Sequence, residues 1–96
     1  MLIETVYGEL RDIGVVRSSD EFSKSWLGKE RSYMRCLRAK HREPSLKALA
    51  TCAVRLLKTA DGLSKSEAPV VLAKGTQLRR LANRCLEEIL TEGLRQ

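Results

Sequence analysis

Three arginines, Arg31, Arg35 and Arg38, follow one another at spacings of four and three. On a helix turning about 100° per residue they return to one face. Guanidinium groups aligned in this way suit two tasks, bidentate hydrogen bonding to a guanine edge or clamping of phosphates. Tyr33, Met34 and Leu37 then fall on another side and can anchor the segment in a core, while Ser32 stands at its N-terminal end. Lys40, His41 and Arg42 extend the cationic surface. An ordinary solvated helix could show the same pattern, but the charge is unevenly placed. Residues 29–42 hold six basic side chains and one acidic, a net +5, against −2 over residues 1–28 and +3 over residues 43–96. In a chain of net charge +6, one short block therefore carries most of the excess, as a polyanion-facing surface would.

Other chemistries find little support. His41 is the only histidine, and no carboxylate–histidine–nucleophile set can be assembled around it, so the chain is not expected to be an enzyme. Cys36, Cys52 and Cys85 are odd in number, far apart and without a CxxC pair, which argues against a zinc site or a disulfide framework and for a reducing, cytoplasmic setting. Each reads as a small core or surface residue. Glu87, Glu88 and Glu92 read as a solvated helix face paired with Arg84, not as metal ligands. No glycine-rich phosphate loop is present, and neither a cofactor nor a small-molecule substrate is expected. The N-terminus lacks a signal-peptide layout, and no apolar run approaches the roughly 20 residues of a membrane span.

The elements that would position the arginines are helical. With 96 residues, 43% hydrophobic and 4% aromatic, the chain suits one domain whose core is built from Leu, Val, Ile and Ala. Leu2, Val6, Leu10 and Ile13, with Ile3 and Tyr7 beside them, predict a first helix that stops at Gly14. Ser18, Ser19 or Asp20 can cap a second helix, which carries Phe22 and Trp26 and ends near Gly28. Trp26 is expected to pack on Phe22, Leu49 and the first helix instead of stacking on a base. A third helix is predicted over 31–39 and cannot continue far, because Pro44 follows. Ser45 caps a fourth over 46–59, with Leu46, Leu49, Ala50, Ala53, Leu56 and Leu57 inward. Residues 61–69 read as a loop. Gly75 then divides a short helix over 69–74 from a longer one over 76–92. The expected fold is an all-α, compact bundle of about five helices with residues 1–60 as a helix-turn-helix core and residues 61–96 as a loop plus C-terminal helix.

Two short helices joined by a glycine-containing turn, the second one basic, have the outline of a helix-turn-helix, in which the second helix enters the major groove. The stretch Gly28 to Leu56 also resembles the repressor/Cro-like (XRE-type) helix-turn-helix domains, the lambda-repressor-like fold. The residues that carry the resemblance are Gly28, Ser32, Tyr33, Met34 and Leu37, the basic turn Lys40-His41-Arg42, then Pro44-Ser45-Leu46, Leu49, Ala53 and Leu56. Three features depart from that pattern: one extra residue between Phe22 and Tyr33, Lys29 where a small apolar residue plugs the turn, and Lys40 where a glycine ends the third helix. The resemblance implies a transcriptional regulator of double-stranded DNA. Arg31, Ser32 and Arg35, with Cys36 as a further candidate, would face bases, and Ser19, Lys24, Arg38, Lys40 and Arg42 would face phosphates.

Leu78, Ala82, Cys85 and Ile89 step by four, three and four, as in a short helix–helix seam. That row can lie across the chain's own core or pair with a second copy. The expectation favours a homodimer, as a two-half-site DNA binder requires. A different class of function, a protein-interaction adaptor that uses the same fold and grips an acidic partner, is the competing expectation. RNA binding is disfavoured by the scarcity of aromatics.

Overall fold

A computed structural model describes residues 1–95 and shows an all-helical chain of five helices among them. These are α1 (Leu2–Asp12), α2 (Ser19–Ser25), α3 (Tyr33–Lys40), α4 (Leu46–Leu63) and α5 (Pro69–Arg95). Gln96, the last residue of the expected second segment, lies outside the described residues. No described helix is long and apolar enough to cross a membrane.

Sequence periodicity becomes burial directly. Ile3, Val6 and Leu10 bury the inner face of α1, and Ala48, Leu49, Cys52, Ala53, Leu56 and Ala60 bury that of α4. Residues from all five helices meet in one core, including Phe22 from α2, Met34 and Leu37 from α3, and Leu78, Leu81, Ala82 and Cys85 from α5. Tyr7 tilts against Phe22 at a ring-centroid distance of 5.5 Å and so joins α1 to α2. Trp26 is buried in the same core, and its accessible edge lies beside Arg55, Lys58 and Thr59. The expectation that Leu46 and Ala50 are covered by the core is corrected, because both are exposed.

The frame is an antiparallel hairpin of the two long helices. Gly75 of α5 lies against Ala60 and Leu63 at one end of the pair, and the buried thiols of Cys52 and Cys85 neighbour each other further along it. The neighbouring Cys85 thiol, together with burial, pushes the Cys52 thiol above its ordinary range. The Cα extents, 42 × 30 × 17 Å, describe a slab about two helices thick at ordinary helix spacings of about 8–10 Å. One side of α5 also meets α1, where the Gln77 amide donates to the Glu9 carboxylate at 3.0 Å.

Two boundaries differ from the sequence-based expectation. The loop expected over 61–69 shrinks to 64–68, because α4 runs on through Gly62 to Leu63 and closes with the Ser64 hydroxyl donating to the Asp61 carbonyl. Gly75 does not divide α5. A Cβ there would stand 3.3 Å from the Leu63 Cβ and 3.4 Å from the Ala60 carbonyl oxygen. The glycine therefore serves the close approach of two helices, and the backbone stays helical.

A large side chain at this crossing should push the hairpin apart. Gly75→Leu is expected to destabilise the fold by roughly 1–3 kcal/mol despite the better helix propensity of leucine, read as a lower urea midpoint at an unchanged slope. An unchanged or raised midpoint would contradict the close-packing account.

Candidate nucleic-acid interface

The α2–α3 unit begins with a capped helix. The Ser18 hydroxyl accepts from the Glu21 backbone N–H at 3.1 Å, and Asp20 and Glu21 occupy the first turn, where the helix dipole favours carboxylates. Of the three candidate caps, Ser18 is the one used. Inside α2, the fully buried Ser23 hydroxyl donates to the Ser19 carbonyl at 2.8 Å and accepts from the Met34 backbone N–H at 3.1 Å. This contact bolts the start of α3 to the middle of α2.

The same contact explains why α3 begins at Tyr33, two residues later than the expected 31–39. A helix running from Arg31 would direct the Met34 N–H to the Glu30 carbonyl, but Ser23 takes that donor and the Glu30 carbonyl accepts from Tyr33 instead. The link between α2 and α3 thus spans residues 26–32. It is held against α4 from two sides. The Arg55 guanidinium donates to the Lys24 and Ser25 carbonyls, closing the C-terminal end of α2. Gly28, at φ +66°, lies so close to α4 that a Cβ would stand 3.2 Å from the Thr51 methyl. Glycine is needed there both for the left-handed backbone and for the space.

At the other side of α3, the Tyr33 hydroxyl accepts from the Ser45 N–H at 3.0 Å, and the Ser45 hydroxyl in turn caps α4 by accepting from Ala48 at 3.1 Å. The Ser-Tyr and Pro-Ser-Leu elements of the sequence are therefore bonded to each other. α3 ends at His41, whose φ is +51°, with the Arg42 N–H donating back to the Leu37 carbonyl at 3.0 Å. The left-handed position that would suit a glycine is thus His41 and not Lys40.

The arginine row does not survive in its expected form. Arg31 and Ser32 stand in the turn ahead of α3. Arg35 and Arg38 lie on the helix but reach in different directions, each into a bidentate ion pair. The Arg35 guanidinium donates to Asp20 of α2 at 3.0 and 3.3 Å. The Arg38 guanidinium donates to Glu4 of α1 at 2.6 and 3.0 Å, and this bond holds its pKa above the ordinary arginine value. Both arginines remain on the surface, with the Arg35 side chain 62% exposed.

What the structure does bring together is an open groove lined by Lys24, Gly28, Lys29, Glu30, Arg31, Ser32 and Arg35, at the N-terminal side of α3. Four cationic side chains line it against one carboxylate. Lys29 also lies over the Tyr33 ring, 5.7 Å from its centroid. At the opposite end of α3, its last residue Lys40 and the following Arg42 are exposed. Ser19 is half-buried, and its carbonyl is engaged by Ser23. Cys36 is exposed, whereas Cys52 and Cys85 are in the core. His/Cys/Asp/Glu groups able to hold a metal are absent among the described residues.

The expected dimer seam is placed otherwise. Leu78, Ala82 and Cys85 are fully buried in the chain's own core and Ile89 is packed against it, so these side chains are already covered without a second copy. A four-three-four row marks the inward side of any long helix in a small bundle, which is why sequence alone left both uses open. The groups that sequence reasoning missed are Ser23, Arg55, Asp20 and Glu4. Ser19 and Ser23 at a helical spacing of four were a faint signal for the first, while the ion pairs join residues far apart in the chain.

Removing the bolt tests its weight. Ser23→Ala leaves the buried Met34 N–H without its partner and should cost about 1–3 kcal/mol. The Met34 amide should also lose hydrogen-exchange protection relative to amides within α4. Equal protection in the variant and the parent would mean that Ser23 does not hold α3 in place.

Comparison with curated proteins and with solved structures yields no match to this chain. A family model does match, over residues 3–95 and hence across all five helices, and the chain belongs to that family, a family of unknown function (DUF6626).

Proposed function

We propose that this protein binds double-stranded DNA, as a transcriptional regulator would, through the α2–α3 unit acting as a helix-turn-helix of the XRE-like type. The observation that carries this reading is the convergence of Lys24, Lys29, Arg31 and Arg35 on one open groove beside the start of a firmly seated helix. An α-helix with its side chains is about 10–12 Å across, which a major groove about 12 Å wide admits, and α3 is two turns long. Arg31 and Ser32 stand at the leading edge, where base edges would be met, and Lys24 and Lys29 flank it at phosphate positions. Lys40 and Arg42 extend the same contact line past the other end of α3. Arg38 is assigned to phosphate by way of its exposed edge, beside Glu4.

The Arg35–Asp20 pair fits this use. Exposed ion pairs contribute about 0–1 kcal/mol, so a guanine edge or a phosphate can displace Asp20 at little cost. In the free protein, Asp20 holds the Arg35 guanidinium in place. The competing adaptor reading places an acidic protein in the same groove and predicts no affinity for duplex DNA.

Fluorescence anisotropy on random and selected duplexes tests the proposal. Affinity should fall steeply between about 50 and 200 mM salt, as counterion release requires. Lys24→Ala should weaken binding alike on all sequences and reduce the salt slope by about 1. Arg31→Ala and Arg35→Ala should each relax base preference, at a cost of about 1–3 kcal/mol. Asp20→Ala should tighten binding by freeing Arg35 and removing a charge that repels phosphate. Absence of duplex binding at low salt would overturn the reading.

We further propose that the DNA-bound form is a homodimer joined through a different face from the expected seam. Leu86, Leu90 and Leu94 form a row at spacings of four along α5, with Leu90 67% and Leu94 88% exposed. A two-fold interface needs a patch that is complementary to itself, and an apolar row on one helix meets that need. Light scattering should show a dimer for the parent chain and a monomer for Leu90→Arg. A parent chain that is monomeric at high micromolar concentration would exclude this interface.

A further inference from the structure

The cleft beyond the C-terminal side of α3 differs in character from the cationic groove. It holds about 300 Å³, room for about two leucine-sized side chains, between the start of α1, the α3–α4 link and the last turns of α5. Ile3, Pro44 and Leu49 are buried at its base, and Leu2 and Leu46 line it while remaining partly accessible. Glu43, Glu88 and Glu92 complete the lining. In a chain of net charge +6, the charged side chains among the described residues that line this apolar cleft are all carboxylates, with Ser45 beside them and Lys40 and Arg42 just outside.

From this complementarity of shape and charge we infer that the cleft docks an amphipathic, basic helical segment of a partner protein. Two apolar side chains on successive turns, three or four residues apart, fill the depression as in other helix-in-groove interfaces. Lysines or arginines flanking them meet Glu43 and Glu88. The apolar contacts supply affinity, and the carboxylates set partner choice by excluding acidic segments and nucleic acid. The cleft shares no lining residue with the α2–α3 groove. Burial of Ile3, Pro44 and Leu49 keeps the base of the cleft in place before any partner arrives.

The test is selection of displayed random helical peptides on the full chain, followed by anisotropy with the enriched sequences as labelled peptides. Enriched peptides are expected to carry two apolar residues three or four apart between Lys or Arg. Their affinity should fall at least tenfold in Glu43→Lys/Glu88→Lys and in Leu46→Asp. The milder Glu43→Gln/Glu88→Gln should weaken binding several-fold and flatten its salt dependence, and circular dichroism should report the same helicity in every variant. Lys24→Glu, in the cationic groove, should leave peptide affinity unchanged. Enrichment of acidic peptides that are lost with Lys24→Glu, affinity indifferent to the cleft variants, or no enrichment at all would each overturn the inference.

Discussion

The Ser23 hydroxyl has two partners that it cannot exchange for water, because the side chain is fully buried. Its hydrogen goes to the Ser19 carbonyl within α2, and its oxygen receives the Met34 N–H from α3. A serine inside a short helix is a poor helix former, since it competes for backbone groups. Here the competition is directed: one end of the hydroxyl joins the α2 ladder, and the other replaces the first-turn partner that α3 would otherwise take from its own chain. The price of a polar group in the core is thereby offset by fixing the angle between two helices too short to be stable alone. Where α3 begins, and with it Arg31, Ser32 and Arg35, depends on this contact.

Much of the architecture was legible in the sequence because burial in a helical bundle leaves a strong periodic signature. Ile3, Val6 and Leu10 on α1, and Leu49, Ala53 and Leu56 on α4, are where a spacing of three and four places them. The boundaries were less legible, for an identifiable reason at each position. Gly75 is a helix breaker by local propensity, yet α4 passes so near it that a larger residue would be the disruptive choice. Gly62 and Asp61 are turn formers by composition, yet the hairpin packing carries α4 through both. In each case a tertiary contact, invisible in a local window, outweighs a propensity of about 1 kcal/mol.

The candidate site was legible in its charge but not in its geometry. The concentration of cations over residues 29–42 is a fact of composition, and the groove beside α3 expresses it. A helical projection of Arg31, Arg35 and Arg38 assumes that the helix begins where the pattern does, and Ser23 moves that beginning to Tyr33. It also takes each guanidinium as free. Glu4 lies 34 residues from Arg38 and Asp20 lies 15 from Arg35, so neither pairing has a local signature. Such pairs contribute little to stability on a surface, but they orient long side chains and lower the local positive potential. The surface that remains is cationic at the leading edge of α3 more than along its length.

The dependence of the site on the rest of the chain runs in one direction. Ser23 and Tyr33 fix α3 to α2 and to the start of α4. Arg55 and Thr51 of α4 then set the end of α2 and the turn at Gly28. α4 in turn is covered along its inner length by α5, through the crossing at Gly75 and the Cys52–Cys85 contact. A helix–turn–helix confined to residues 1–60 would leave Cys52, Ala53, Leu56 and Ala60 without their α5 cover. At about 25 cal/mol per Å² of apolar surface, that exposure is large against the few kcal/mol by which a domain of this size is stable. The C-terminal helix is therefore part of what holds the groove in shape: it stiffens α4, and α4 carries both clamps on the turn where Arg31 and Ser32 stand.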